Sequence, residues 1–90
     1  MPNLRLTKKN HPTLFTAFEI VSHDIDVSGP FLIPAEFSSG LQRMEETLSK
    51  LAPETLETFC IGEQKEQEKI IKAHPLLAEV ADLINAHFGF

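Results

Sequence analysis

Three helix breakers, Pro53, Gly62 and Pro75, cut the second half of this chain into segments that can only fold as short rods. Within each segment apolar residues recur at helical spacing. Leu41, Met44, Leu48 and Leu51 step by three and four, with Gln42, Arg43, Glu45, Glu46, Ser49 and Lys50 between them. Pro34 suits the first turn of a helix running to about Leu51, because proline lacks only an N–H that a helix start leaves unpaired. Ser38 or Ser39 would serve as a later cap. Gly40 weakens the segment by about 1 kcal/mol relative to Ala, so the start can slip to there. Burying the four-residue stripe is worth about 6–12 kcal/mol before entropy is charged. Glu46 and Lys50 have the (i, i+4) order that favours an ion pair.

Pro53 stops that helix and opens another, with Glu54 and Glu57 near the positive end of its dipole. Leu56, Phe59 and Cys60 form its apolar face, and Gly62 suits a left-handed terminator. Glu63 to Lys69 is polar throughout and must face water unless something binds it, with Glu68 and Lys72 at pairing distance. Ile70 and Ile71 return the chain to the core. His74 precedes Pro75, which pushes it out of helical geometry. A closing helix carries Leu77, Val80, Ile84 and Phe88 on one face, with Leu76 and Leu83 alongside.

In the first third two patterns compete. Leu14, Phe18 and Val21 recur at helical spacing behind Pro12. Phe15-Thr-Ala-Phe-Glu-Ile-Val is rich in β-formers, and Phe31-Leu-Ile could pair with it. Asp24, Asp26, Ser28, Gly29 and Pro30 mark a turn. The balance tips towards extended structure. The sequence therefore predicts a mainly α fold. Three to four short amphipathic helices fill the C-terminal two-thirds, and the N-terminal third is extended or a short β-hairpin. One extra helix at 13–22 is the alternative. Residues 1–90 make one domain: a flexible basic arm over 1–12, the extended or hairpin segment over 13–33 and a helical core over 34–90.

A domain of 90 residues is only marginally stable alone, so a homodimer or a bound partner would help it. The net charge of −5 hides an asymmetry: residues 1–10 carry +3 from Arg5, Lys8 and Lys9, leaving −8 on the remainder. An acidic body repels nucleic acid and attracts basic partners. All seven aromatic residues are Phe, which lacks the polar handle that Tyr and Trp bring to base- or sugar-stacking surfaces. Cys60 is the single cysteine, so a disulfide-framed secreted fold is excluded. No leader pattern precedes residue 10 and no window suits a membrane span. The expected location is the cytoplasm.

Candidate chemistry is sparse. His23-Asp24-Ile25-Asp26 is the densest set of metal-type ligands, and His74 and His87 could complete a site only through tertiary folding. Zinc helices space histidines at (i, i+4), which these do not. A small metal-dependent enzyme stands as a remote alternative. Cys60 could act as a nucleophile beside a histidine, but its neighbours Phe59 and Ile61 suit a buried, inert thiol. Gly62 is isolated from any phosphate cradle. Arg5, Lys8 and Lys9 are too few for firm phosphate binding, so direct nucleic-acid binding is not expected. No catalytic, cofactor-binding or metal residue is assigned, and no cofactor is expected.

The run Leu56-Glu57-Thr58-Phe59-Cys60-Ile61-Gly62-Glu63, preceded by Leu51-Ala52-Pro53-Glu54, resembles small helical proteins of unknown function encoded by bacteriophages and prophages. The stretch from His74-Pro75-Leu76 to Leu83-Ile84-Asn85-Ala86-His87-Phe88 adds to the likeness, which covers about residues 34–88. It carries over no functional residue, and it implies a phage accessory protein inside a bacterial cell. The resulting expectation is a small acidic non-enzymatic protein-binding module. It would dock on a host or phage protein, a basic nucleic-acid-binding one for instance, and modulate or inhibit it. Glu45, Glu46, Glu54 and Glu57 are the expected protein-binding residues, with the polar stretch Glu63 to Lys69 beside them. A structural homo-oligomer sealed by Phe88 and Phe90 is the alternative.

Overall fold

The computed structural model of the chain describes residues 4–23 and 31–89. Helix α1 spans Pro12–Ser22, with the proline in its first turn. Leu14, Ala17, Phe18 and Val21 are all buried. This corrects the expectation of extended structure over residues 13–22 and selects the extra helix instead. The reason lies in the pattern. Strand alternation would set Thr16 between Leu14 and Phe18, and Glu19 between Ala17 and Val21. Helical spacing gathers four apolar residues on one side with no polar residue among them. Burial of that face outweighs the β-propensity of Phe15 to Val21.

The strands lie on either side of α1 in sequence. β1 (Leu4–Leu6) pairs antiparallel with β2 (Phe31–Ile33), matching Leu4 to Ile33, Arg5 to Leu32 and Leu6 to Phe31. Phe31-Leu-Ile is therefore a strand, but its partner is Leu4–Leu6 and not the Phe15–Val21 run. Leu6, Phe31 and Ile33 point into the core while Arg5 and Leu32 face out. Arg5 is thus held in a strand, with Lys8 and Lys9 exposed in the turn beyond it. The turn residues Asp24 to Pro30 lie outside the described residues.

Pro34 leads into a 3-10 turn over Ala35–Gly40, and α2 (Leu41–Ser49) starts at the later of the two expected points. Leu41, Met44 and Leu48 are buried and Leu51 is half-buried, as the stripe predicts. Glu46 accepts a hydrogen bond from Gln42 Nε2 at 3.3 Å and does not pair with Lys50. After α3 (Pro53–Ile61), Gly62 has φ −78°, so it is not the left-handed terminator expected. Glycine is needed there for room. A Cβ would collide with the Thr58 carbonyl oxygen and come within 2.7 Å of Thr58 Cγ2. The left-handed stop falls at Gly89 instead, φ 76°, whose N–H donates to the Asn85 carbonyl at 2.8 Å.

Helix α4 (Gln64–Ala73) has no fully buried residue, in keeping with its polar sequence. Gln64 donates to Glu68 in place of the expected Lys72, and Lys69 pairs with Glu66 at 3.6 Å. His74 ends α4 at φ −132°, ψ 81°, as Pro75 requires. Helix α5 (Leu77–Phe88) buries Leu77, Val80, Leu83 and Ile84 against α2, β2 and α4. At the core's aromatic centre Phe18 lies 5.2 Å from Phe31, 5.3 Å from His87 and 5.5 Å from Phe88, ring centroid to centroid. Phe88, expected at an oligomer seam, belongs to this cluster; Phe90 lies outside the described residues. The architecture is mainly α, with five helices and one two-stranded antiparallel sheet among the described residues.

Candidate functional site

The four glutamates expected to form one docking face have different fates. Glu45 is half-buried and turned towards α1. Its Oε1 accepts the Leu14 N–H at 2.8 Å and its Oε2 the Thr13 N–H at 3.1 Å. Those are the donors that the start of α1 leaves unpaired, and His11, at the cap position, makes no side-chain cap bond. Glu45 thus caps α1 from another helix. Glu46 is exposed on α2 and bonded to Gln42. Glu54 is exposed in the first turn of α3. Glu57, also exposed, stands at the edge of a groove between α1 and α3.

One helical stripe from each helix walls this groove. α1 supplies Thr16, Glu19, Ile20 and His23, at i, i+3, i+4 and i+7; α3 supplies Pro53, Leu56, Glu57 and Ile61. Its volume is about 610 Å³. A shallower hollow continues it towards the start of α1, where Pro12 and Thr13 face Ser49 and Leu51, and the two share Thr16, Pro53 and Leu56. Ile61 stands 52% exposed and adds an apolar side chain to this end of the groove. The lining carries Glu19 and Glu57 and contains no Lys or Arg. The arrangement suits a partner that offers apolar side chains flanked by positive charge.

Glu19, Ile20 and Ile61 were not singled out from the sequence. The stripe Thr16, Glu19, Ile20, His23 is visible only once residues 12–22 are read as helix, since extended structure scatters it over two faces. The polar stretch Glu63 to Lys69 forms most of α4 and lies outside this groove.

Cys60 is half-buried beside a cavity of about 380 Å³ that is also lined by Val21, Phe59, Ile71, Ala81 and Ile84. Burial disfavours the thiolate and pushes this thiol up to about 12, from 9.0. Such a thiol stays protonated near neutral pH and is a poor nucleophile. Of the metal-type ligands, His23 ends α1, exposed, while Asp24 and Asp26 lie outside the described residues. His74 caps α4. His87 contributes its Nδ1–H to the Leu32 carbonyl at 2.8 Å and stacks edge-on against Phe31 and Phe88. Among the described residues no three His, Cys, Asp or Glu side chains cluster to hold a metal ion. No helix among them is long and apolar enough to cross a membrane.

Nothing matches this chain among protein-family models, curated proteins or solved structures. The geometry alone therefore bears on function.

Proposed function

We propose that this chain is a small, acidic, non-enzymatic protein-binding module of the phage-accessory kind, which docks on a basic host or phage protein and modulates it. One observation carries the reading: the preformed α1–α3 groove has an apolar floor, carboxylates at its edge and no Lys or Arg in its lining. Two further facts support it. The net charge of −5 favours basic partners at a distance, and the candidate nucleophile Cys60 is held as a neutral thiol. Glu57 remains in the docking set and Glu19 joins it, Glu46 and Glu54 are exposed outside the groove lining, and Glu45 acts in folding.

The test is capture from bacterial lysate on the immobilised chain, with elution along a salt gradient. A stoichiometric basic partner should leave as salt rises, because screening shortens the reach of surface charge to about 3 Å at 1 M. Glu57→Lys should abolish capture of that same partner with an unchanged circular dichroism spectrum. Equal capture by the wild type and by Glu57→Lys would refute docking at this face.

A structural homo-oligomer is the second reading, favoured by Leu32 and Leu4, which stand 52% and 37% exposed on the strand pair. It predicts a sedimenting dimer that Leu32→Ser dissociates. A monomer at all concentrations would remove it.

A further inference from the structure

We infer that the occupant of the α1–α3 groove is a basic amphipathic helix; this rests on the docking reading and specifies the partner's form. Length comes first. At 1.5 Å per residue, α1 and the groove beside it run about 16 Å, or three turns of a second helix. A helix lying along it would present anchors at i, i+3 or i+4, and i+7, the spacing by which helices fill apolar grooves. The floor offers matching apolar ground in sequence: Leu51 and Pro53 at one end, Leu56 and Ile20 midway, Ile61 at the other. An extended peptide would instead seek strand edges, and this groove is walled by two helices, which present no strand edge.

Charge fixes the sign. Glu19 on α1 and Glu57 on α3 are both exposed and flank the Ile20–Ile61 half of the groove. Lysines or arginines beside the apolar stripe of a bound helix would meet a carboxylate from each wall. A second copy of this chain fits poorly in the same place. Two copies facing groove to groove would oppose Glu19 and Glu57 to Glu19 and Glu57, and each copy carries a net charge of −5.

The probe is a fluorescein-labelled peptide of about three turns with leucines at i, i+3, i+4 and i+7 and lysines elsewhere. Its comparison peptide has the same composition with the leucines scattered to break the stripe. Fluorescence anisotropy should show the striped peptide binding at least tenfold more tightly. Ile61→Asn should weaken it roughly fivefold to tenfold, the effect of withdrawing about half an isoleucine's burial. Glu19→Lys with Glu57→Lys should weaken it further and flatten its salt dependence, with circular dichroism unchanged in every variant.

Equal binding of the two peptides, insensitive to Ile61→Asn, would overturn the helical occupant and leave acidic docking standing on the lysate capture. Failure of both peptides at low salt, with a lysate partner still captured through Glu57, would likewise overturn the helix alone. Failure of the capture as well would remove the docking reading itself. A free protein that sediments as a dimer and is dissociated by Ile61→Asn would show that a second copy fills the groove, and would overturn the inference.

Discussion

Glu45→Ala should unsettle the whole domain even though Glu45 lies only half-buried at the surface. The start of a helix leaves its first N–H groups without partners inside the helix. In α1 these can be counted. Pro12 has no N–H to satisfy, and the Phe15 N–H already reaches the His11 carbonyl at 2.9 Å. That leaves Thr13 and Leu14, and both are taken by the Glu45 carboxylate, at 3.1 and 2.8 Å. Removing a capping side chain costs about 0.5–2 kcal/mol. The lost carboxylate at the positive end of the dipole adds about 0.3–1 kcal/mol. The expected destabilisation is about 1–3 kcal/mol, against roughly 5–13 kcal/mol for a domain of this size.

That loss corresponds to a fall in Tm of roughly 5–20 °C for so short a chain. Glu45→Gln keeps an oxygen acceptor but loses the charge and one bond, so it should cost about half as much. Glu46→Ala, on the same helix, should stay within about 0.5 kcal/mol of the wild type. The assay is urea unfolding followed by far-ultraviolet circular dichroism, since the chain has no Trp or Tyr to report by fluorescence. Loss of less than about 0.5 kcal/mol in Glu45→Ala, or equal losses at Glu45 and Glu46, would refute the capping argument.

The two special glycines should respond to alanine for different reasons. Gly62→Ala drives a methyl into Thr58 and should cost about 1–3 kcal/mol in the same assay. Gly89→Ala meets open space but keeps a left-handed backbone, costing about 1 kcal/mol; Thr58→Ala should relieve only part of the Gly62 effect, because it removes Cγ2 and leaves the carbonyl oxygen in place. His87→Ala removes the bond to Leu32 and the ring contacts with Phe18, Phe31 and Phe88, for about 2–3 kcal/mol; a loss below about 0.5 kcal/mol would count against the cluster. Cys60 should alkylate far more slowly in the folded protein than in urea at neutral pH, and equal rates would show that the thiol is not buried. Because folding raises this thiol from 9.0 to about 12, its contribution to stability is complete below pH 9 and drains away as pH climbs towards 12.

Most of the helical core was legible because its signals are local. The stripe Leu41, Met44, Leu48 and the proline starts needed nothing beyond neighbouring residues, and α2, α3 and α5 follow them. Gly62 was located correctly as a stop but for the wrong reason. A left-handed dihedral is a local inference, whereas its crowding against Thr58 depends on how tightly α3 closes. Phe31–Ile33 was legible as a strand, but its pairing with Leu4–Leu6 was not. Leu4–Leu6 and Phe31–Ile33 are three residues each and meet across an intervening helix, so no alternation or turn links them. α1 was read as extended because Phe15 to Val21 favours strand one residue at a time; the buried face that decides it forms only in the folded chain, against α2, α3 and the Phe31–His87–Phe88 cluster.

That one misreading also hid the site. With residues 12–22 extended, there is no helix start for Glu45 to cap and no stripe for Ile61 to face. Glu45 then looks like one more surface acid, equal to Glu46, Glu54 and Glu57. Once α1 is a helix, the acids divide by what their oxygens already do. Those of Glu45 are occupied by backbone N–H groups, whereas Glu19 and Glu57 stand exposed at the groove. A reversal such as Glu45→Lys would place a cation at the positive end of α1 and lose binding by unfolding the wall of the groove. Loss of capture in that variant would therefore report on folding. Only a reversal at Glu19 or Glu57, where the fold has no claim on the carboxylate, separates a docking charge from a structural one.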